Sequence, residues 1–301
     1  MTTAAKATAA AKATATATAT TTAANHTLRH LLSRDTPCFI GRIAGIELSV
    51  AYRIREHPSD LTENDLAELE NNAGIHVTGK ESLHEYATRL IQSYEACTVI
   101  GEWERTGPVY SITGKGQEYI AQRTPHLPKI PATALEPYYV PPADSWIHAL
   151  AGKRILVVHP FVRTLERQVP QLPHLFPGYE WLQGCTFQFV TPPMTLAGNH
   201  QNRDWREHMA ECQATLRACQ PFDVALVAAG GYGMLLSHFI YHELHASVVY
   251  VGGALQLFFG VIGKRWFSHP AIMAHVTDLW VRPEKADQPE NYKRVEKGCY
   301  W

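Results

Sequence analysis

The chain has no two cysteines at metal-ligand or redox spacing. Its six cysteines (Cys38, Cys97, Cys185, Cys212, Cys219 and Cys299) are scattered through 301 residues without a CxxC. This argues against a zinc ribbon or a disulfide framework and favours reduced structural thiols in a cytoplasmic setting. Neither sign of charge is in excess. The formal net charge is -1, so the basic face that nucleic-acid binding requires is missing and no nucleic-acid partner is expected. No stretch approaches the roughly 18 uninterrupted apolar residues of a membrane span. There is no GxSxG elbow and no P-loop, which leaves serine hydrolase and P-loop kinase readings without support.

What is present suffices for a large core: 46% of residues are hydrophobic and 18% charged. Residues 1–24 are almost wholly Ala and Thr. They lack the Leu-rich segment of a secretory signal, and alternating Ala-Thr buries too little to offset chain entropy. They are expected to form a disordered tail. Residues 25–301 are expected to form one domain. Six prolines fall within residues 124–142, predicting a connection that runs extended over the surface.

Periodicity sets out the rest. A short entry helix is expected at 25–32, a strand at 37–43 and a helix at 46–56. Another helix is expected at 59–71, capped by Ser59 or Thr62. Leu83, Tyr86, Ala87, Leu90, Ile91 and Tyr94 recur at helical spacing over 80–95. Residues 98–103 read as a short strand. The run Lys153 to Phe161 is β-branched and apolar, as in a buried parallel strand. Strands at 186–190, 223–229 and 247–251 then alternate with helices at 205–219 and 232–245. This alternation predicts an α/β, Rossmann-like, mainly parallel sheet with helices on both faces. Ligands of such sheets bind at the carboxyl ends of the strands.

Several strand ends carry chemistry. Arg42-Ile43-Ala44-Gly45-Ile46-Glu47 lies at a strand-to-helix corner. There the carboxylate can take a proton or bind a metal and the Arg can hold an anion, unless the two simply pair to brace the corner. Gly230-Gly231-Tyr232-Gly233 follows a strand and opens a helix, where backbone N–H groups can approach a phosphate. The dinucleotide fingerprint is incomplete, because Leu236 stands in place of its third glycine, so NAD is not expected. Gly252-Gly253 form a second corner. With Gln256, Lys264 and Arg265 nearby it reads as an anion pocket with Trp266 as an aromatic wall. His159 ends its strand and is a reserve base. His242-Glu243-Leu244-His245 falls one residue short of HExxH, so that zinc geometry is not delivered. Two aromatics, Tyr300 and Trp301, end the chain, and the last residues are expected to dock back near the site.

The order of these features resembles the GT-D fold of glycosyltransferases, in outline over residues 36–266. In that family an Arg-x-Gly-Asp-Gly-Glu segment binds metal and nucleotide-sugar. Arg42 and Glu47 match it, and Gly45 stands where the family has Asp. The chain also resembles a group of uncharacterised bacterial and viral proteins sharing the HPF, GGYG and GGALQLFFG strings. The resemblance implies a nucleoside diphosphate-sugar donor and a hydroxyl acceptor as partners, with Glu47 catalytic. It implies Mn or Mg as cofactor, held weakly because Asp is missing at Gly45. Lys264, Arg265 or helix N-termini would then neutralise the diphosphate. The alternatives are a non-catalytic nucleotide or sugar-nucleotide binding module and a nucleotide-dependent hydrolase.

Overall fold

A computed structural model describes residues 20–176 and 184–301. Seven strands form one all-parallel sheet: β1 (Phe39–Arg42), β2 (Val99–Glu102), β3 (Lys129–Pro131), β4 (Arg154–Val158), β5 (Thr186–Val190), β6 (Val224–Val227) and β7 (Ser247–Tyr250). Their spatial order is β3-β2-β1-β7-β6-β4-β5. The helices are α1 (residues 20–32), α2 (Ile46–Glu56), α3 (Glu63–Ala73), α4 (Lys80–Glu95), α5 (Gly107–Arg123), α6 (Val162–Gln168), α7 (Leu172–Leu175), α8 (Trp205–Arg217), α9 (Gly233–Glu243) and α10 (Pro270–Met273).

Strands buried on both faces explain the continuous apolar runs in the sequence. Successive side chains point to opposite faces. Ile155 and Val157 enter one core with Val224, Leu226 and Val249, while Leu156 and Val158 enter the other with Ala225, Val227 and Val248. Helices α2 to α5, α8 and α9 cover the second face. The first is covered by α1, α6, α7, α10, the turns of residues 252–259 and the chain end at Trp301. Among the described residues no helix is long and apolar enough to cross a membrane.

Local chemistry sets the element boundaries. Thr62 caps α3 in a reciprocal box with Asp65, and Gly74 closes it in the left-handed region. Asp204 caps α8 in the same manner with Glu207. Two expectations need correction. Residues 20–24 belong to helix α1 rather than to a disordered tail, because Ala24 and Leu28 pack into the core; residues 1–19 lie outside the described ones. The Pro-rich connection is not a surface strap: it forms β3 and short 3-10 turns, with Ala134, Leu135 and Tyr138 buried. Helix α5, in a stretch to which the sequence pattern assigned no element, covers α2 with Tyr119 and Ile120 in the core.

From β4 the chain moves outward to β5, whereas from β6 it moves inward to β7. The connections therefore diverge between β4 and β6, and a crevice is expected outside the carboxyl ends of such strands. All the sites discussed below lie at that edge.

Candidate functional site

Arg42 is the last residue of β1. The turn after it is held by side chains from the neighbouring layer. The Tyr94 hydroxyl donates to the Arg42 carbonyl (3.1 Å) and accepts from the Ala44 N–H (2.9 Å), and Trp103 Nε1 donates to the Ile43 carbonyl (3.0 Å). The Arg42 guanidinium lies 5.2 Å from the centroid of the Trp103 ring and 3.7 Å from the Glu136 carboxylate, with both side chains largely buried. Arg42 Nε is buried without a hydrogen-bond partner among the described residues. The guanidinium also lies against the β7 turn. Gly252 has φ +71°, and a Cβ there would collide with Arg42 Nη2. Only glycine meets both conditions.

Glu47 sits in the first turn of α2. Its surface is partly open, yet the carboxyl is closely enclosed and its pKa is raised. Burial is the main cause. The charge of Glu296 adds to the rise, while its own backbone N–H and Arg42 oppose it. Glu47 in turn helps raise the phenols of Tyr86, Tyr94 and Tyr250, in each case behind burial as the larger cause. Two of these phenols reach the β6 turn: Tyr86 donates to the Gly231 carbonyl (3.0 Å) and Tyr250 to that of Gly230 (3.3 Å). The β1 corner and both glycine turns therefore share one neighbourhood, joined through tyrosines.

The chain end completes it. Tyr300 lies over Gly253, where a Cβ would collide with its ring. Arg265 Nη1 donates to Glu296 (2.6 Å) and to the Tyr300 hydroxyl (3.1 Å), and its guanidinium lies 5.3 Å from the Tyr300 ring centroid. Gln256 Nε2 donates to the carbonyls of Val261 (3.1 Å) and Tyr300 (3.2 Å). The cluster thus holds two guanidiniums, Arg42 and Arg265, and three carboxylates, Glu47, Glu136 and Glu296. Burial raises the Glu136 carboxyl as well, against the pull of both arginines.

Other expected site residues stand elsewhere. His159 is buried, its Nδ1 accepts the Phe161 N–H (2.9 Å), and burial pushes its pKa down to about 3. A neutral ring with that nitrogen engaged carries its proton on Nε2, so it is not a free base. Tyr232 is buried in the helical layer with Trp205 and Cys212 and presents no exposed surface to a ligand. Gly231 is glycine for packing, since a Cβ would meet the Ile75 side chain. Gly230 is exposed beside it. Lys264 is exposed and makes no ion pair among the described residues. Gly45 faces the methyl groups of Thr113 and Ile112 and offers no oxygen ligand. Around Glu47 the donor set is one further carboxylate, phenols and a guanidinium, fewer oxygens than Mg or Mn ordinarily take. Glu136, Trp103, Tyr86, Tyr94 and Tyr250 carry no local signal of a site in the sequence, whereas the aromatic chain end marked Tyr300 and with it the neighbouring Glu296.

A second cluster lies near the β6 turn. Glu70, His76 and His200 bring possible ligand atoms within 4.8 Å of one another. Glu70 contacts His76 Nδ1 at 3.1 Å and His200 Nε2 at 3.4 Å, spacings compatible with a metal. Two observations oppose one. His200 Nδ1 accepts the Asn202 N–H (3.1 Å), which places the proton of the neutral ring on Nε2 and leaves no lone pair there for a metal. The two rings are also stacked, 3.7 Å apart at 7°, so no single point lies in both ring planes, where the nitrogen lone pairs point. The cluster reads as one carboxylate clamped between two stacked imidazoles, hydrogen-bonded to His76 and 3.4 Å from His200.

Comparison with protein-family models, curated proteins and solved structures finds no match.

Proposed function

We propose that the chain is a nucleoside diphosphate-sugar-dependent glycosyltransferase whose donor site lies between the β1 corner and the β7 turn. The observation that carries this reading is the meeting of Arg42, Glu47 and Gly252 at the carboxyl edge of a parallel sheet. In this reading Glu47 is the general base that takes the proton of the acceptor hydroxyl, a role suited to a carboxyl whose pKa burial has raised. Arg42 and Arg265 neutralise the diphosphate as it leaves, in place of a hard cation. The donor's base takes the position of the Tyr300 ring over Gly253 and its diphosphate that of Glu296 at Arg265. The chain end therefore moves when donor binds.

A non-catalytic nucleotide-binding module is the second reading. It is favoured by the glycine at position 45 and by the engagement of Arg42 with Glu136 and Trp103. Thermal shift with UDP, GDP and UDP-glucose, with and without Mn²⁺, tests both. The expected result is a saturable rise with one nucleotide, lost in Arg42→Ala and unchanged by Mn²⁺. No rise with any of them removes both readings. Donor hydrolysis lost in Glu47→Gln selects the transferase, and binding without turnover selects the module.

Glu47 also has a stability signature. Its folded pKa is raised, so its contribution is fully present below the unfolded value and is lost as pH rises through the folded one. Glu47→Gln should therefore gain stability relative to wild type as pH rises from about 4 to 8. A difference that stays flat over this range would show that the carboxyl is not buried as described.

A further inference from the structure

A cleft of about 860 Å³ opens beyond β4 and β5, lined among others by Pro160, Arg163, Met194, Gln201, Gln288 and Glu290. It lies beside the divergence of connections between β4 and β6 and is of a size that holds small ligands. Its polar chemistry is unspent. Arg163, Gln201, Gln288 and Glu290 make no side-chain hydrogen bond or ion pair among the described residues. Glu166, also on its wall, is equally unengaged. The buried Asp287 uses Oδ2 for the N–H and hydroxyl of Thr164 (2.8 and 2.5 Å), leaving Oδ1 without a partner among the described residues.

The wall that supplies Gln201 is strained. Ala197, Gln201 and Asn202 all adopt left-handed backbone, with φ 58°, 55° and 58°. Such strain persists only where surrounding structure imposes it, and it concentrates at functional sites. Asn199 Nδ2 ties the loop to the Glu290 carbonyl (2.9 Å). His200 anchors it from below through Glu70 and the Asn202 N–H, and its own carbonyl is held by His208 (3.0 Å). The histidine clamp thus acts as the rigid support of the cleft wall.

We infer that this cleft binds a neutral oligosaccharide. One guanidinium against two exposed carboxylates does not attract an anion. Free amides, carboxylates and a guanidinium side by side match the paired donor and acceptor character of sugar hydroxyls, and Pro160 and Met194 offer apolar surface to the C–H face of a ring. The inference stands without the transferase reading. As the place of an acceptor it rests on that reading, because the ends of β7 and β4 are two ladder steps, about 10 Å, apart.

Titration calorimetry of the full chain with maltotriose, cellotriose and chitotriose, and with inorganic pyrophosphate as the anionic control, tests it. Saturable binding of at least one trisaccharide is expected, weakened by roughly tenfold or more in Arg163→Ala/Gln288→Ala and unchanged in Arg42→Ala. Gln201→Gly should weaken the same binding while raising the melting temperature, because glycine relieves the left-handed strain. A role in folding alone would not produce that pairing. The inference is overturned if no trisaccharide binds, if the double variant binds as wild type does, or if only pyrophosphate binds. UDP binding that survives in the double variant separates failure of the cleft from failure of the donor site.

Discussion

Substituting Gly253 isolates the contact between the β7 turn and the chain end. A Cβ at this position collides with the Tyr300 ring, while the backbone φ lies outside the left-handed region. Gly253→Ala therefore introduces overpacking without backbone strain. Forcing a methyl into a packed contact costs about 1–3 kcal/mol. In a Tyr300→Ala background the three atoms nearest that methyl are removed, and Gly→Ala at a compatible position is worth about 0.4–1 kcal/mol in the stabilising direction. The double-mutant cycle should therefore show a coupling of about 1.4–4 kcal/mol, well above the roughly 0.3–0.5 kcal/mol error of additivity. Urea unfolding gives the energies, and melting curves should shift by about 2–4 °C per kcal/mol, the scaling for a somewhat smaller domain. The same cycle addresses ligand access. If Tyr300 fills the donor's place, Tyr300→Ala raises the competent fraction and tightens the apparent UDP affinity. Equal penalties for Gly253→Ala in both backgrounds would mean that Tyr300 does not cover this turn, and the proposed competition would fall with it.

Two further outcomes are expected. Asp204 accepts five hydrogen bonds, from the Thr78 N–H and hydroxyl, the Ser82 hydroxyl, and the Arg206 N–H and guanidinium. Against the cost of burial, these hold its pKa well below the usual range. Asp204→Ala removes a helix cap and a buried acceptor, for a loss of about 3 kcal/mol at neutral pH. Because the folded pKa is depressed, that contribution is present above the unfolded value near 4 and fades as pH falls through the folded one. The gap between wild type and variant should close in acid, and a gap independent of pH would refute the assignment. For Glu70, His76 and His200, excess zinc should alter the melting temperature of wild type and His200→Gln alike. A saturable rise in wild type alone would replace the clamp with a metal site.

The sequence by itself determined six of the seven strands, all but the edge strand β3 in the Pro-rich stretch. β-branched runs bounded by turn residues, such as Ile155–Val158 and Val224–Val227, can be buried on both faces only in a parallel sheet under helices, and that is where they lie. Helices α2 and α4 appeared with their boundaries because each carries a clean 3.6-residue apolar stripe. Helix α5 did not, because Gly107, Pro108, Gly114 and Gly116 argue locally against helix; in the fold Gly116 packs directly on Leu48 of α2, and that contact overrides propensity. Arg42 and Glu47 could be found from their position at a strand end. Their partners could not. Glu136, Tyr250 and the chain end with Glu296 and Tyr300 lie far apart along the chain, and only the aromatic chain end is marked by a local pattern. Strand order alone brings β1 beside β7, and so sets Arg42 against Gly252. Likewise only the tertiary structure showed His159 sealed and neutral: the sequence gives its place at a strand end, whereas solvation and hydrogen bonding set its charge.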